Sequence, residues 1–167
     1  MTIEEAIRTA IEYEIRIRDI YRQAAASVAD GVGRRVFETL HDDEQHHIDY
    51  LQHKLAQLKE TGKIEATGLD SVVPSGKAVD RESAKVKSLM ARDFLGIRRQ
   101  MLSKALEAEI ETSDFYRKMI DALPAEGQAL FARFLEIEDN HIKAVQFELD
   151  YLSKTGYWFD FKEFDME

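Results

Sequence analysis

The chain has 167 residues, no cysteine, and a formal net charge of −9 from 23 Lys and Arg against 32 Asp and Glu. That length can bury one self-supporting core, and the missing cysteine excludes disulfides, thiolate metal sites and iron–sulfur clusters held by this chain. The acidic balance argues against nucleic acid and anionic membranes as partners. No stretch reads as a signal peptide or a bilayer span, so a single cytoplasmic domain over residues 1–167 is expected.

Two prolines and eight glycines among abundant Ala, Leu, Ile, Glu, Lys and Arg favour long helices. Thr2 suits an N-cap, with Glu4 and Glu5 in the first turn where the helix dipole favours acid. A first helix then runs to about Ala29, with Ile3, Ile7, Ala10, Glu14, Ile17 and Tyr21 on one face. Asp30-Gly31-Val32-Gly33 breaks it. A second helix reaches about Thr61, with Val36 or Phe37, Leu40, Glu44, His47, Leu51, Leu55 and Leu58 inward. Gly62 fits a left-handed helix stop, and Ile64 can pack back on the helix.

Residues 63–94 read as a crossover, turn-rich around Thr67–Ser71 and Pro74–Gly76, with a short helix within Asp80–Met90. A third helix begins near Leu95 to Arg98 and ends near Ala122, with Leu102, Ala105, Glu109, Thr112, Tyr116 and Met119 inward. Pro124 suits the first turn of a fourth helix. That helix turns Leu130 or Phe131, Phe134, Glu138, His141, Val145, Leu149 and Leu152 inward and stops at Gly156. An aromatic and acidic tail, 157–167, closes the chain. Its stretch Tyr157–Phe164 suits a lid over the bundle end or a dimer contact.

The two halves repeat. At a shift of 95, Ala10, Glu12, Glu14, Ile15, Asp19, Tyr21 and Arg22 fall on Ala105, Glu107, Glu109, Ile110, Asp114, Tyr116 and Arg117. At a shift of 94, Phe37, Glu44, His47, Gln52, Leu55, Leu58, Thr61 and Gly62 fall on Phe131, Glu138, His141, Gln146, Leu149, Leu152, Thr155 and Gly156. Two copies of a helical hairpin joined by one long connection make an all-α four-helix bundle with a crossover. The crossover, at up to about 3.3 Å per residue, has slack beyond the roughly 42 Å of the second helix. That slack also permits hairpins exchanged between two subunits of a dimer.

Glu44 and His47, and again Glu138 and His141, stand one helical turn apart on one face. Pseudo-twofold pairing sets Glu14, Glu44 and His47 opposite Glu109, Glu138 and His141. Four carboxylates and two imidazoles inside an apolar core are prohibitively costly without compensating positive charge. Oxygen and imidazole nitrogen without sulfur suit iron, with manganese as an alternative, so these six residues are expected to hold two ions. The pairing Asp43-x-x-His46 is rejected because its counterparts are Ile137 and Asn140. His41 and His53, opposite Leu135 and Phe147, read as structural or surface residues. Tyr21 and Tyr116 lie two turns beyond their own helix's glutamate, too far to reach it; each is expected to hydrogen-bond a ligand carboxylate on a neighbouring helix. Glu12 points away from that face and reads as an exposed pair with Arg16.

In these residues, Glu14…Tyr21, Glu44-x-x-His47, Glu109…Tyr116, Glu138-x-x-His141 and the tail Gly156-Tyr157-Trp158-Phe159-Asp160, the chain resembles the ferritin-like superfamily and, within it, the rubrerythrin family. The resemblance implies a non-haem di-iron site that reduces hydrogen peroxide or dioxygen in defence against oxidative stress, with Tyr21 and Tyr116 beside the reacting centre. Two departures stand out. The cysteine-rich rubredoxin module is missing, so electrons come from a separate donor protein. Thr112 stands where rubrerythrins carry a further ligand Glu, and Glu111 is on another face, which leaves a six-ligand set more similar to that of bacterioferritin. Two other functions remain open: oxidation and handling of ferrous iron in a ferritin-type assembly, or a bundle that metals only stabilise.

Overall fold

A computed structural model describes residues 1–87 and 96–164, and every regular element among them is helical. α1 spans Ile3–Ser27 and opens with a capping box, in which the Thr2 hydroxyl accepts from the Glu5 N–H and the Glu5 carboxylate accepts from the Thr2 N–H. α2 spans Gly31–Thr61. The Asp30 side chain accepts from the N–H groups of Val32 and Gly33, so the glycines expected to interrupt the chain form the first turn of α2 instead.

Gly62 ends α2 at φ 73°, and Gly156 ends α5 (Ala125–Thr155) in the same way at φ 78°, a left-handed conformation that glycine adopts without a Cβ clash. α3 spans Gly76–Val86, capped by the Ser75 side chain. It therefore starts earlier than the expected Asp80, and the part of that expectation beyond residue 87 lies outside the described residues. α4 spans Ile97–Ala122; its alternative start at Leu95 is likewise outside them. Pro124 sits at the N-cap of α5 and not in its first turn. The tail carries one turn of 3-10 helix, Phe161–Glu163, and residues 165–167 lie outside the description.

α1 packs on α2, α4 on α5, α1 on α4, and α3 on α5. The buried apolar side chains form two clusters. One holds Tyr21, Val36, Phe37, Leu40, Leu102, Val145 and the tail aromatics. The other holds Ile7, Leu51, Tyr116, Leu130, Phe131 and Phe134. Burying each large side chain contributes about 1.5–3 kcal/mol, so the bundle can carry a polar layer at mid-length between the clusters. The crossover straps the outside: Tyr50 Oη donates to the Thr67 carbonyl at 2.8 Å, Arg133 donates to the Leu69 carbonyl, and the Gly76 N–H donates to Asn140 Oδ1 at 3.0 Å. Among the described residues, no helix is long and apolar enough to cross a membrane.

Candidate metal centre

All six residues singled out by the repeat converge. Glu14 from α1, Glu44 and His47 from α2, Glu109 from α4, and Glu138 and His141 from α5 are each 0% exposed. Their ligand-capable atoms form two groups. One contains Glu14, Glu44, His47 and Glu138; the other contains Glu44, Glu109, Glu138 and His141. Glu44 and Glu138 belong to both, while Glu14 and Glu109 each belong to one.

The distances follow the same twofold pattern. His47 Nδ1 lies 3.0 Å from Glu44 Oε2, 3.3 Å from Glu14 Oε2 and 3.4 Å from Glu138 Oε1. His141 Nδ1 lies 2.7 Å from Glu44 Oε1, 3.4 Å from Glu109 Oε1 and 3.9 Å from Glu138 Oε2. The two imidazoles stack with ring centroids 5.4 Å apart. Several of these atoms have no hydrogen bond despite the short separations: Glu44 Oε1, Glu109 Oε2, both Glu138 oxygens and His141 Nδ1. Buried polar atoms without partners are rare in folded proteins. Bonds of about 2.0–2.1 Å to a six-coordinate ion place neighbouring donor atoms roughly 3 Å apart, and most of the separations here are close to that. The residues therefore could hold metal ions through carboxylate oxygen and imidazole nitrogen.

The charges oppose one another in the bare site. Burial and the neighbouring Glu44 charge push the Glu14 carboxyl up to about 8. Glu138 is raised well above the usual carboxylate range by burial and by Glu14, Glu44 and Glu109. Burial alone would raise Glu44 too, but the His141 and His47 charges hold it well below that range. Burial disfavours charge on both imidazoles, yet Glu44 and the other carboxylates raise His47 and His141 well above their ordinary value.

Both tyrosines cross to the opposite hairpin. Tyr21 Oη donates to Glu109 Oε1, and Tyr116 Oη donates to Glu14 Oε1. Each phenol is fully buried and thus holds one of the two unshared carboxylates in orientation. Burial and the adjacent carboxylates raise both phenols well above their ordinary value, so both remain donors.

Asp43 is the residue that sequence reasoning set aside. Its side chain is 2% exposed, and its Oδ2 lies 2.8 Å from His141 Nε2 and 3.5 Å from His47 Nε2. Burial opposes its charge, but the His141 hydrogen bond and both imidazole charges leave the carboxyl below its ordinary value. The crossover anchors it, with Ser71 Oγ donating to Oδ2 at 2.6 Å and the Val72 N–H donating to Oδ1 at 3.2 Å. Asp43 thus turns the Nδ1 atoms of both rings toward the glutamates. The available signal was its position one turn before His47; comparison with Ile137 concealed it.

The remaining sequence readings fall outside the cluster. His46 and His53 are exposed, and His41 pairs with Asp42 at 2.9 Å. Glu12 is exposed, but Arg16 pairs with Glu111 of α4 at 2.8 Å, a correction to the expected pair with Glu12. Thr112 is buried and spends its hydroxyl on the Ala108 carbonyl at 2.8 Å. No protein-family model, curated protein or solved structure matched the chain in comparison.

Proposed function

We propose that the chain is a rubrerythrin-like member of the ferritin-like superfamily and a non-haem di-iron oxidoreductase that reduces hydrogen peroxide or dioxygen. One observation carries the reading: Glu44 and Glu138 each belong to both ligand groups, which is what two adjacent ions sharing two carboxylates require. Bound iron supplies electrons to the oxidant by changing its oxidation state.

The chain's own residues do the rest. Glu14 and His47 would hold one ion and Glu109 and His141 the other, with Glu44 and Glu138 within reach of both. Tyr116 and Tyr21 hold the unshared carboxylates in place and keep a phenolic proton next to each. Asp43 fixes the His141 tautomer by accepting from its Nε2 at 2.8 Å, and its charge lies 3.5 Å from His47 Nε2. The two apolar clusters exclude bulk water from the layer between them. These 167 residues hold no cysteine, so the electrons would reach the site from a donor outside them.

The test is anaerobic loading with ferrous iron, followed by metal analysis and stopped-flow absorbance on adding peroxide. Uptake of about two ions per chain and an absorbance change complete within the mixing experiment are the expected result. A loaded protein that is stable in air and indifferent to peroxide overturns the reading. A second reading, ferrous-iron oxidation for storage, is favoured by Thr112, because the six-residue set then lacks a further exchanging ligand. Light scattering separates the two: a hollow multi-subunit assembly supports storage, and a dimer supports the peroxidase.

A further inference from the structure

Glu148 takes no part in the metal centre, yet it is 0% exposed. It lies on α5, seven residues beyond His141. Glu148 Oε2 accepts the Phe159 N–H of the tail at 3.1 Å, and its Oε1 has no hydrogen-bond partner. The tail therefore folds back from Gly156 onto a carboxyl that nothing else satisfies.

Aromatic packing surrounds this contact. Phe159 meets Phe147 at 5.1 Å and Tyr151 at 5.2 Å, both edge to face, and Phe164 lies 4.7 Å from Phe159. Trp158 rests edge-on against Phe37 at 5.3 Å and directly over Gly33, where a Cβ would lie 2.6 Å from the indole. On α5 itself the residues one turn from Glu148 are Ala144, Val145, Tyr151 and Leu152, none of them ionised at neutral pH. The charged group facing it from the tail is Asp160, of the same sign. The nearby cation on α2, Arg35, is committed to Asp160 at 3.2 Å. Among the described residues, none forms an ion pair with Glu148.

We propose that residues 157–164 are a hinged cap on one end of the bundle, shut while Glu148 is neutral and released when Glu148 ionises. An ionised carboxylate cannot remain in an apolar pocket without a partner, whereas a neutral one can. Opening about Gly156 lets Glu148 reach water and costs the aromatic contacts of the tail, the Phe159 N–H bond and the Arg35–Asp160 pair. Burial raises the docked carboxyl well above its ordinary 4.5, outweighing the Phe159 N–H bond, which favours the charged form, and Asp160 adds to the rise. Closure is therefore fully favoured below 4.5 and is lost as pH climbs through the raised value. The cap adjoins the metal centre, since Phe37 beneath Trp158 also touches Tyr21, the phenol on Glu109. The device does not depend on bound metal.

Trp158 is the only tryptophan in the chain, so its fluorescence reports the cap alone. Emission and acrylamide quenching of the full chain are followed from about pH 5 to about pH 9, with far-UV circular dichroism recording the helices. The expected result is a red shift and a several-fold rise in quenching as pH increases, at constant helicity. Glu148→Gln, which keeps the acceptor for the Phe159 N–H but cannot ionise, stays blue-shifted and protected throughout. Glu148→Leu serves the same purpose if the amide disturbs folding. A wild-type titration that stays flat overturns the proposal, as does an equal response in the variants.

Discussion

The two hairpins of this molecule match in the carboxylates, imidazoles and phenols of the shared layer and differ in the buried residues behind and beyond it. Glu14, Glu44 and His47 are matched one for one by Glu109, Glu138 and His141, and Tyr21 and Tyr116 cross to each other's side. Even the exits agree: the Thr61 hydroxyl accepts the Lys63 N–H at 3.2 Å, and the Thr155 hydroxyl accepts the Tyr157 N–H at 3.1 Å. Away from the shared layer the halves diverge. Asp43 stands opposite Ile137, and Lys54 opposite Glu148. After its exit the first half becomes the crossover that holds Asp43, and the second becomes the tail that covers Glu148. Symmetry is kept where both halves build one site and lost where each has its own partner.

The largest expected effect distinguishes shared from unshared ligands. Glu44→Ala or Glu138→Ala removes a member of both groups and should reduce iron content from about two ions to well under one. Glu14→Ala or Glu109→Ala should leave about one, as read by metal analysis after anaerobic loading. The same change has the opposite sign without metal. Glu138→Leu, an apolar side chain of similar volume, should stabilise the bare protein by about 1–4 kcal/mol, because it removes a buried carboxyl that has no hydrogen bond.

pH tests the same layer. Glu14, raised to about 8 in the bare protein, contributes stability that is present below 4.5 and lost as pH climbs through about 8. The melting temperature of the metal-free chain should fall over that range, and Glu14→Gln should flatten the slope. Loading at neutral pH should release protons, because ions displace them.

Asp43 against Ile137 probes the first asymmetry. Asp43→Ala should lower metal affinity by about 10–100-fold, as His141 loses its acceptor and both imidazoles lose an adjacent negative charge. Ile137→Ala should cost about 2–5 kcal/mol of stability with affinity unchanged, measured by competition with a chelator and by urea melts. Tyr21→Phe and Tyr116→Phe should each cost about 1–3 kcal/mol, the cost of leaving a buried carboxyl oxygen without its donor. Unequal losses would break the twofold description.

The smallest effect concerns the equivalent glycines Gly33 and Gly127. Gly33→Ala places a methyl 2.6 Å from the Trp158 ring and should cost about 1–3 kcal/mol with a red shift in Trp158 emission. Gly127→Ala meets the flexible Leu123 side chain at 3.0 Å and should cost less.

Helical spacing and the internal repeat made the four long helices legible, because side-chain direction on a helix follows from position alone. Glu14, Glu44, His47, Glu109, Glu138 and His141 could be picked out since each repeats and each lies on an apolar face. Gly62 and Gly156 were legible for a local reason, the left-handed turn. Asp43 was not, because its value comes from Ser71 and from a ring on α5, and neither is near it in the chain. Glu148 was hidden for the same reason: its one hydrogen-bond partner, the Phe159 N–H, comes from the returning tail. The pairing of Arg16 with Glu111 also depends on which helix lies next to α1.

The sequence by itself therefore determined the helices, the duplicated hairpin and the identity of the inward acids and imidazoles, all matters of spacing along one chain. Only the tertiary structure decided which carboxylates are shared, which phenol meets which glutamate, and which acids acquire a partner. Those outcomes are set by distances between separate helices and by exclusion of water, and neither exists until the chain has folded.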